Sequence, residues 1–337
     1  MAPIVVLDQY YLAITLLVTI GYQLLGFAIA WTFKFDKITD FTGGSNFLIL
    51  ALMTLLLGQN FCGRNVAASY FVMVWAARLG AFLLMRVLKR GSDSRFDEIR
   101  SHFFKFLGFW VGQIVWVWIV SLPITILNSP AVTGVNHNRC NPVFGTSRDI
   151  AGVIVWGIGL AIETVADLQK FEWKSLGPPP YAIMDTGLWR WSRHPPYFGE
   201  ILCWWGIWML TLSPTTDGLV SSSAWGAQYG AVASPIFTLL LLMFASGIPT
   251  SESSQARKFY DLGQEHDAGD DRTKYPSPFL RYQAYLSTTS ILIPIPRSVY
   301  WRIPNIIKST VLLDFSMYRT FKVKKGDEEN KRRAELI

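Results

Sequence analysis

Apolar runs close to the ~20 residues that cross a bilayer recur along this chain, and they leave it few folds. A backbone in hydrocarbon has to satisfy its own polar groups, and a helix does so within one segment. Of 337 residues 51% are hydrophobic and only 16% charged, and 14 are Trp, which collects at membrane–water boundaries. The expected fold is an all-α integral membrane bundle of about seven transmembrane helices with a cytosolic C-terminal tail. The expected spans lie at about 10–33, 46–61, 65–88, 103–127, 150–168, 197–212 and 229–248. The first is too long for a signal-peptide core and lacks a basic flank, so it reads as a span. The stretch 291–307 is apolar but carries Pro294, Pro296 and Pro304, which suits a surface or re-entrant segment and not an eighth span. The last ~15 residues read as a charged, disordered end. This divides the chain into N-terminal helices (1–130), a membrane domain (131–295) and an interfacial tail (296–337).

Charge gives an orientation. Loops 34–45, 86–105 and 169–196 carry about twelve Lys or Arg, whereas the alternate loops carry Arg64, Arg139 and Arg148. The rich loops and the basic tail fall on one side, which the positive-inside rule makes the cytosol. The endoplasmic reticulum is the expected membrane if the chain is eukaryotic. The net charge is +7, and about half of the Lys and Arg lie in the last ~80 residues. In this setting it points to anionic lipid headgroups or a phosphorylated cofactor, and no nucleic-acid partner is expected. Cys62, Cys140 and Cys203 are scattered and support neither a disulfide framework nor a zinc site, and the four His form no metal constellation.

The chemistry concentrates in 185–208, D-T-G-L-W-R-W-S-R-H-P-P-Y-F-G-E-I-L-C-W-W-G-I-W. Arg190, Arg193 and His194 sit just before a Pro pair that suits the first turn of a helix, and Glu200 follows about one turn inside. A cationic loop at the mouth of an apolar span suits an anionic cofactor and a hydrophobic small-molecule substrate; it equally suits a plain positive-inside anchor. Glu163, Asp167 and Lys170 share one helix face, where an ordinary helix-end ion pair is the bland reading. Arg78 lies near the middle of the third span, where an ionisable group is a functional candidate or a structural pair for a distant acid. Tyr181, Tyr197, Tyr282 and Tyr285 could orient a ring or donate a proton. Gln59, Asn60, Tyr70 and Gln113 are the polar groups placed to polarise a substrate carbonyl, and none sits in a motif, so the catalytic residue stays unassigned. No G-x-G-x-x-G, G-x-S-x-G or H-E-x-x-H pattern is present.

G-L-W-R-W-S-R-H-P-P-Y-F-G-E, preceded by E-T-V-A-D-L-Q-K and followed by Y-x-x-Y-x-x-x-T-S-I-L-I-P, resembles the DUF1295 family. That family is similar to the C-terminal domain of steroid 5-alpha-reductases. More distantly it resembles sterol reductases and membrane methyltransferases of the isoprenylcysteine and phosphatidylethanolamine type. The resemblance runs from about 75 to 294. It implies a cytosol-facing dinucleotide pocket and NADPH, or NADH, as hydride donor to a carbon–carbon double bond conjugated to a carbonyl in a lipid, steroid-like or fatty-acyl-like substrate. The alternatives are a methyltransferase using S-adenosylmethionine and a non-catalytic lipid-binding protein. On the cofactor side it implies Glu163, Asp167, Lys170, Arg190, Arg193, His194, Tyr197, Glu200, Trp204 and Tyr285, with Arg78 at a recurrent basic position. Pro196 stands where the family usually has Asn, Glu252 is followed by Ser253 and Ser254 in place of a basic residue, and 262–273 looks like an insertion.

Overall fold

A computed structural model describes residues 2–34, 38–90, 101–133, 140, 142–217, 220–268 and 276–318. Among them there is no strand, only two isolated bridges, and the helices run in chain order. They are α1 Leu12–Phe33, α2 Ile38–Gly58, α3 Gly63–Arg90, α4 Phe103–Val120, α5 Leu122–Leu127, α6 Pro130–Thr133, α7 Ser147–Ser175, α8 Pro195–Leu212, α9 Ser222–Gly230, α10 Ala233–Leu240, α11 Ile248–Ala268, α12 Pro278–Thr288, α13 Arg297–Tyr300 and α14 Asn305–Thr310. Among the described residues six helical stretches are long and apolar enough to cross a membrane: Leu12–Phe33, Phe41–Gly58, Gly63–Leu83, Phe103–Val120, Ser147–Ser175 and Ser222–Asp267. The expected span at 197–212 is a helix, α8, but is not one of the six. The chain forms two compact units, Met1–Leu160 with Ile201–Leu239, and Ala161–Glu200 with Leu240–Ile337. Residues 91–100, 269–273 and 319–337, which hold the charged loop, part of the apparent insertion and the charged end, lie outside the described residues.

The first unit buries an aromatic centre. Trp75 stands edge-on to Phe47 and to Trp204, at 5.3 and 5.0 Å between ring centroids, and all three are excluded from solvent. Helix α2 begins well before the expected residue 46. Thr39 and Thr42, placed in the loop before that span, turn inward instead: with Asn46 they are buried, as are Thr15, Thr19 and Gln23 of α1. Gln23 donates through Nε2 to the Thr42 carbonyl at 3.3 Å and to Asn46 Oδ1 at 3.1 Å, and Gln113 donates to the Thr39 carbonyl at 2.9 Å. Small and amide side chains let membrane helices approach and bond one another, so polarity here marks packing. Two glycines make another close approach. A Cβ on Gly206 of α8 would stand 2.6 Å from the Gly152 carbonyl of α7.

One expectation fails in this unit. Cys62 and Cys140, 78 residues apart, are joined in a disulfide, because the α2–α3 turn and the segment after α6 are brought together at 5.3 Å between Cα atoms. Cys203 is free and buried. Two residues beyond Cys62, Arg64 forms a buried two-point ion pair with Asp149, at 2.8 and 2.9 Å, and Asp149 also accepts from Ser213 and from the Gly145 and Thr146 amides.

The second unit is built on α11 and α12. Phe259 stacks on Tyr282 at 4.7 Å, with Leu286 beside them. The apolar helix expected over 229–248 breaks just before that end. Leu241–Ala245 loosens into a π-turn, the chain breaks at Gly247 in the left-handed region (φ 54°), and Ile248–Pro249 opens α11. Gly247 also lies against the Tyr197 ring, where a Cβ would come within 3.2 Å. Beyond α12 the prolines allow only the four-residue α13 and the six-residue α14.

Candidate functional site

The second unit folds its R-W-S-R-H segment back on itself. Gly187 (φ 56°) opens a tight 3-10 turn, Gly187–Arg190, directly under Gln169, where a Cβ would collide at 2.4 Å. Gln169 accepts from the Leu188 amide at 3.0 Å, and the Trp189 indole donates to the Ala166 carbonyl at 2.9 Å. Ser192 then donates to the Leu292 carbonyl at 2.8 Å, and the Arg193 amide to Ser290 at 2.8 Å. The turn is therefore pinned to α7 on one side and to the segment after α12 on the other, so Arg193 and His194 are held in place.

Arg193 is 2% exposed and fully engaged at its terminal nitrogens. Nη1 donates to Glu252 Oε2 at 2.8 Å and to the Tyr318 carbonyl at 3.4 Å, and Nη2 donates to Asp314 Oδ1 at 2.7 Å. Its Nε is buried and has no partner among the described residues. Burial alone would weaken the guanidinium's hold on its proton, but Glu252 and Asp314 outweigh it and raise its pKa. His194 Nε2 meets the other oxygen of Glu252 at 2.7 Å, and the His194 ring stacks on Tyr197 at 5.4 Å. Burial pushes the His194 pKa down, against the pull of Glu252, so the ring is neutral and donates Nε2–H to the carboxylate. Tyr300 donates to the second oxygen of Asp314, and Tyr318 to the Met243 carbonyl.

Beside this network a cavity of about 310 Å³ opens. Lys170, Lys174 and Lys258 stand around it, Trp173, Trp189 and Tyr285 give it aromatic walls, and Arg193, Glu252 and Tyr282 line it as well. Lys170 lies over the Trp189 ring at 4.2 Å. Among the described residues Glu252 is the one carboxylate in the lining, and it is committed to Arg193 and His194. Tyr285 donates to the Trp189 carbonyl at 3.2 Å and Tyr282 weakly to Glu252 at 3.5 Å; burial raises both phenol pKa values, so both hold their protons. A cationic, aromatic-walled cavity without a free carboxylate attracts an anionic group attached to a ring.

Of the residues expected on the cofactor side, Lys170, Arg193 and Tyr285 line this cavity, His194 stands behind it on Glu252, and Tyr197 stacks on His194. Arg190 is exposed at the end of the turn. Glu163 is buried and Asp167 and Glu200 are half-buried, and none of the three is in the lining. Trp204 is packed in the aromatic centre of the first unit. Arg78, also of that unit, is half-buried with its guanidinium 5.6 Å from the Phe82 ring. Gln113 and Asn60 are buried, Gln59 bonds its own helix end and Tyr70 is exposed. The sequence reading did not assign Glu252, Lys258, Asp314 or Trp173 to the site. Asp314 was signalled as a lone acid ending the apolar run I-I-K-S-T-V-L-L, and Glu252 as the only charge in P-T-S-E-S-S-Q.

No curated protein and no solved structure matches this chain. A family model described as "Protein of unknown function (DUF1295)" matches residues 26–266. That range covers the turn, Glu252 and the three lysines, and stops short of Tyr282, Tyr285, Asp314 and Tyr318. With more than half of its length matched, the chain belongs to the DUF1295 family.

Proposed function

We propose that this protein is a membrane-embedded, NAD(P)H-dependent reductase of a carbon–carbon double bond in a lipid-like substrate. The observation that carries the reading is the cavity ringed by Lys170, Lys174 and Lys258 with Trp173, Trp189 and Tyr285 as walls. Its donor set fits phosphates through lysine, while the terminal nitrogens of Arg193 are taken and cannot clamp a phosphate. Lys170, Lys174 and Lys258 would hold the phosphates of the cofactor, and the aromatic walls a ring. When bound, the nicotinamide supplies hydride. Glu252, fixed between Arg193 and neutral His194, keeps the floor of the site rigid. Tyr282 and Tyr285 stay protonated, so each holds a proton beside the cavity. The likeness of the motif to steroid 5-alpha-reductases supports the choice of reaction. A methyltransferase is disfavoured because S-adenosylmethionine carries no phosphate for the lysines.

In this reading the cavity faces the cytosol, by the excess of Lys and Arg in the loops beside it. The Cys62–Cys140 disulfide supports the same orientation, because such bonds persist in oxidising compartments and those two residues belong to the poorly charged loops. Thermal unfolding of the purified chain with NADPH, NADH or S-adenosylmethionine tests the proposal. NADPH at about 100 times its Kd should add about 2.7 kcal/mol, and the gain should shrink in Lys170→Ala and Lys258→Ala. Stabilisation by S-adenosylmethionine with none by either nicotinamide cofactor would reverse the assignment.

A further inference from the structure

We propose that the segment 296–318 is an interfacial element that lies on an anionic lipid surface, apolar side down, and from there holds Arg193 in place. The argument begins with an inverted helix. In α14 the charged residue points inward: Lys308 is 6% exposed, with its ammonium 4.4 Å from the Tyr300 ring. The apolar residues point outward: Ile306 is 71% exposed, Ile307 42% and Val311 65%. A helix against water carries the opposite pattern. Trp301, at 59%, and Val299, at 51%, extend the same exposed character through α13.

The occupant is lipid by three observations. The chain already carries six stretches able to cross a membrane, so a bilayer is at hand. Helices of four and six residues between prolines are too short to span one, which leaves the surface. From 295 to 313 there is no carboxylate, and of the three cations Lys308 points inward, Arg297 pairs with Asp185 at 3.2 Å and Arg302 faces outward. Arg302 is exposed beside Trp301, at 5.5 Å from its ring, and an Arg–Trp pair of this kind sits well among anionic headgroups. The inner side of the same segment carries Asp314 and the Tyr318 carbonyl, both on Arg193, and Tyr300, which fixes Asp314. Asp314 is thus a positioning residue, supplied from beyond the range that the family model matches.

The test is collision accessibility of nitroxides at Ile306→Cys and Val311→Cys. They are placed in a full-length Cys203→Ala chain whose Cys62–Cys140 bond is intact, in nanodiscs of phosphatidylcholine with phosphatidylserine. Both positions should collide severalfold more with oxygen than with a water-soluble nickel chelate. Replacing phosphatidylserine by phosphatidylcholine should raise the nickel collisions severalfold. Higher nickel than oxygen collision would place the segment in water and overturn the proposal. Low collision with both reagents would mean cover by protein, such as a second copy of the chain, and would overturn it equally. Indifference to phosphatidylserine would remove the anionic surface as the partner.

Discussion

Arg193 is a single positive charge shared by two carboxylates in a place almost closed to water, and that makes it structural before it is anything else. Removing one partner of a buried ion pair leaves the others uncompensated and costs about 3–5 kcal/mol. Arg193→Ala should therefore lose about that much in denaturant unfolding, and Lys258→Ala, at an exposed position, less than 1 kcal/mol. Equal losses would mean that the carboxylates find other partners. His194 gives a pH signature of the same network. Its folded pKa lies below the ordinary value of 6.5, so between the two values the unfolded chain binds more protons than the folded one. Stability is then full above about pH 6.5 and is lost as pH falls towards the folded pKa. His194→Gln should flatten that limb of the stability profile, and an unchanged profile would assign it to other groups. The motif singled out Arg193 and His194; Arg193 lines the cavity and His194 stands behind it on Glu252. What the motif could not announce was that their partners, Glu252 and Asp314, lie 59 and 121 residues further on, because a contact across that distance leaves no local pattern.

At the level of elements, long apolar runs were legible because their length is set by the bilayer, and α1, α3, α4 and α7 fall where those runs are. Polarity misled wherever it faced inward. Thr39 and Thr42 fall in the loop before the expected second span and are part of a buried helix face, and Ser222–Gly230, mostly outside the expected spans, forms α9. Pro249 lies in the first turn of α11, which Pro suits, and Gly247 supplies the break before it. Glycine in a membrane helix has no periodicity to announce its role, yet Gly152 and Gly206 set how closely α7 and α8 pass in the first unit. A side chain at 206 would push against the Gly152 carbonyl and against Trp156, whose Cβ lies 2.7 Å from where it would stand. Gly206→Ala should cost about 1–3 kcal/mol, the range for overpacking, and Gly157→Ala, which meets nothing within 4 Å, should cost almost none. Comparable melting temperatures for the two variants would mean that the helices part without penalty.

On the scale of the whole molecule, the proposed sidedness in the membrane is argued from two independent signals, the distribution of Lys and Arg and the oxidised pair Cys62–Cys140. The first was legible in the sequence because it needs only counting. The second was not, since two cysteines 78 residues apart show no pairing until the helices between them are folded. The two signals make one joint prediction. In sealed membranes, a membrane-impermeant maleimide added to the extracytosolic face should label Cys62 and Cys140 only after reduction. A cysteine introduced as Arg190→Cys or Lys174→Cys, both exposed, should be labelled only from the cytosolic face. Reduction should also lower the unfolding free energy, by about 2–4 kcal/mol for a native bridge, because the unfolded chain regains a long loop. Labelling of position 190 and of reduced Cys62 from the same face would invert the helix count between them. The lysine-ringed cavity would then open away from the compartment where phosphorylated nicotinamides are available, and the reductase reading would lose its cofactor supply along with its orientation.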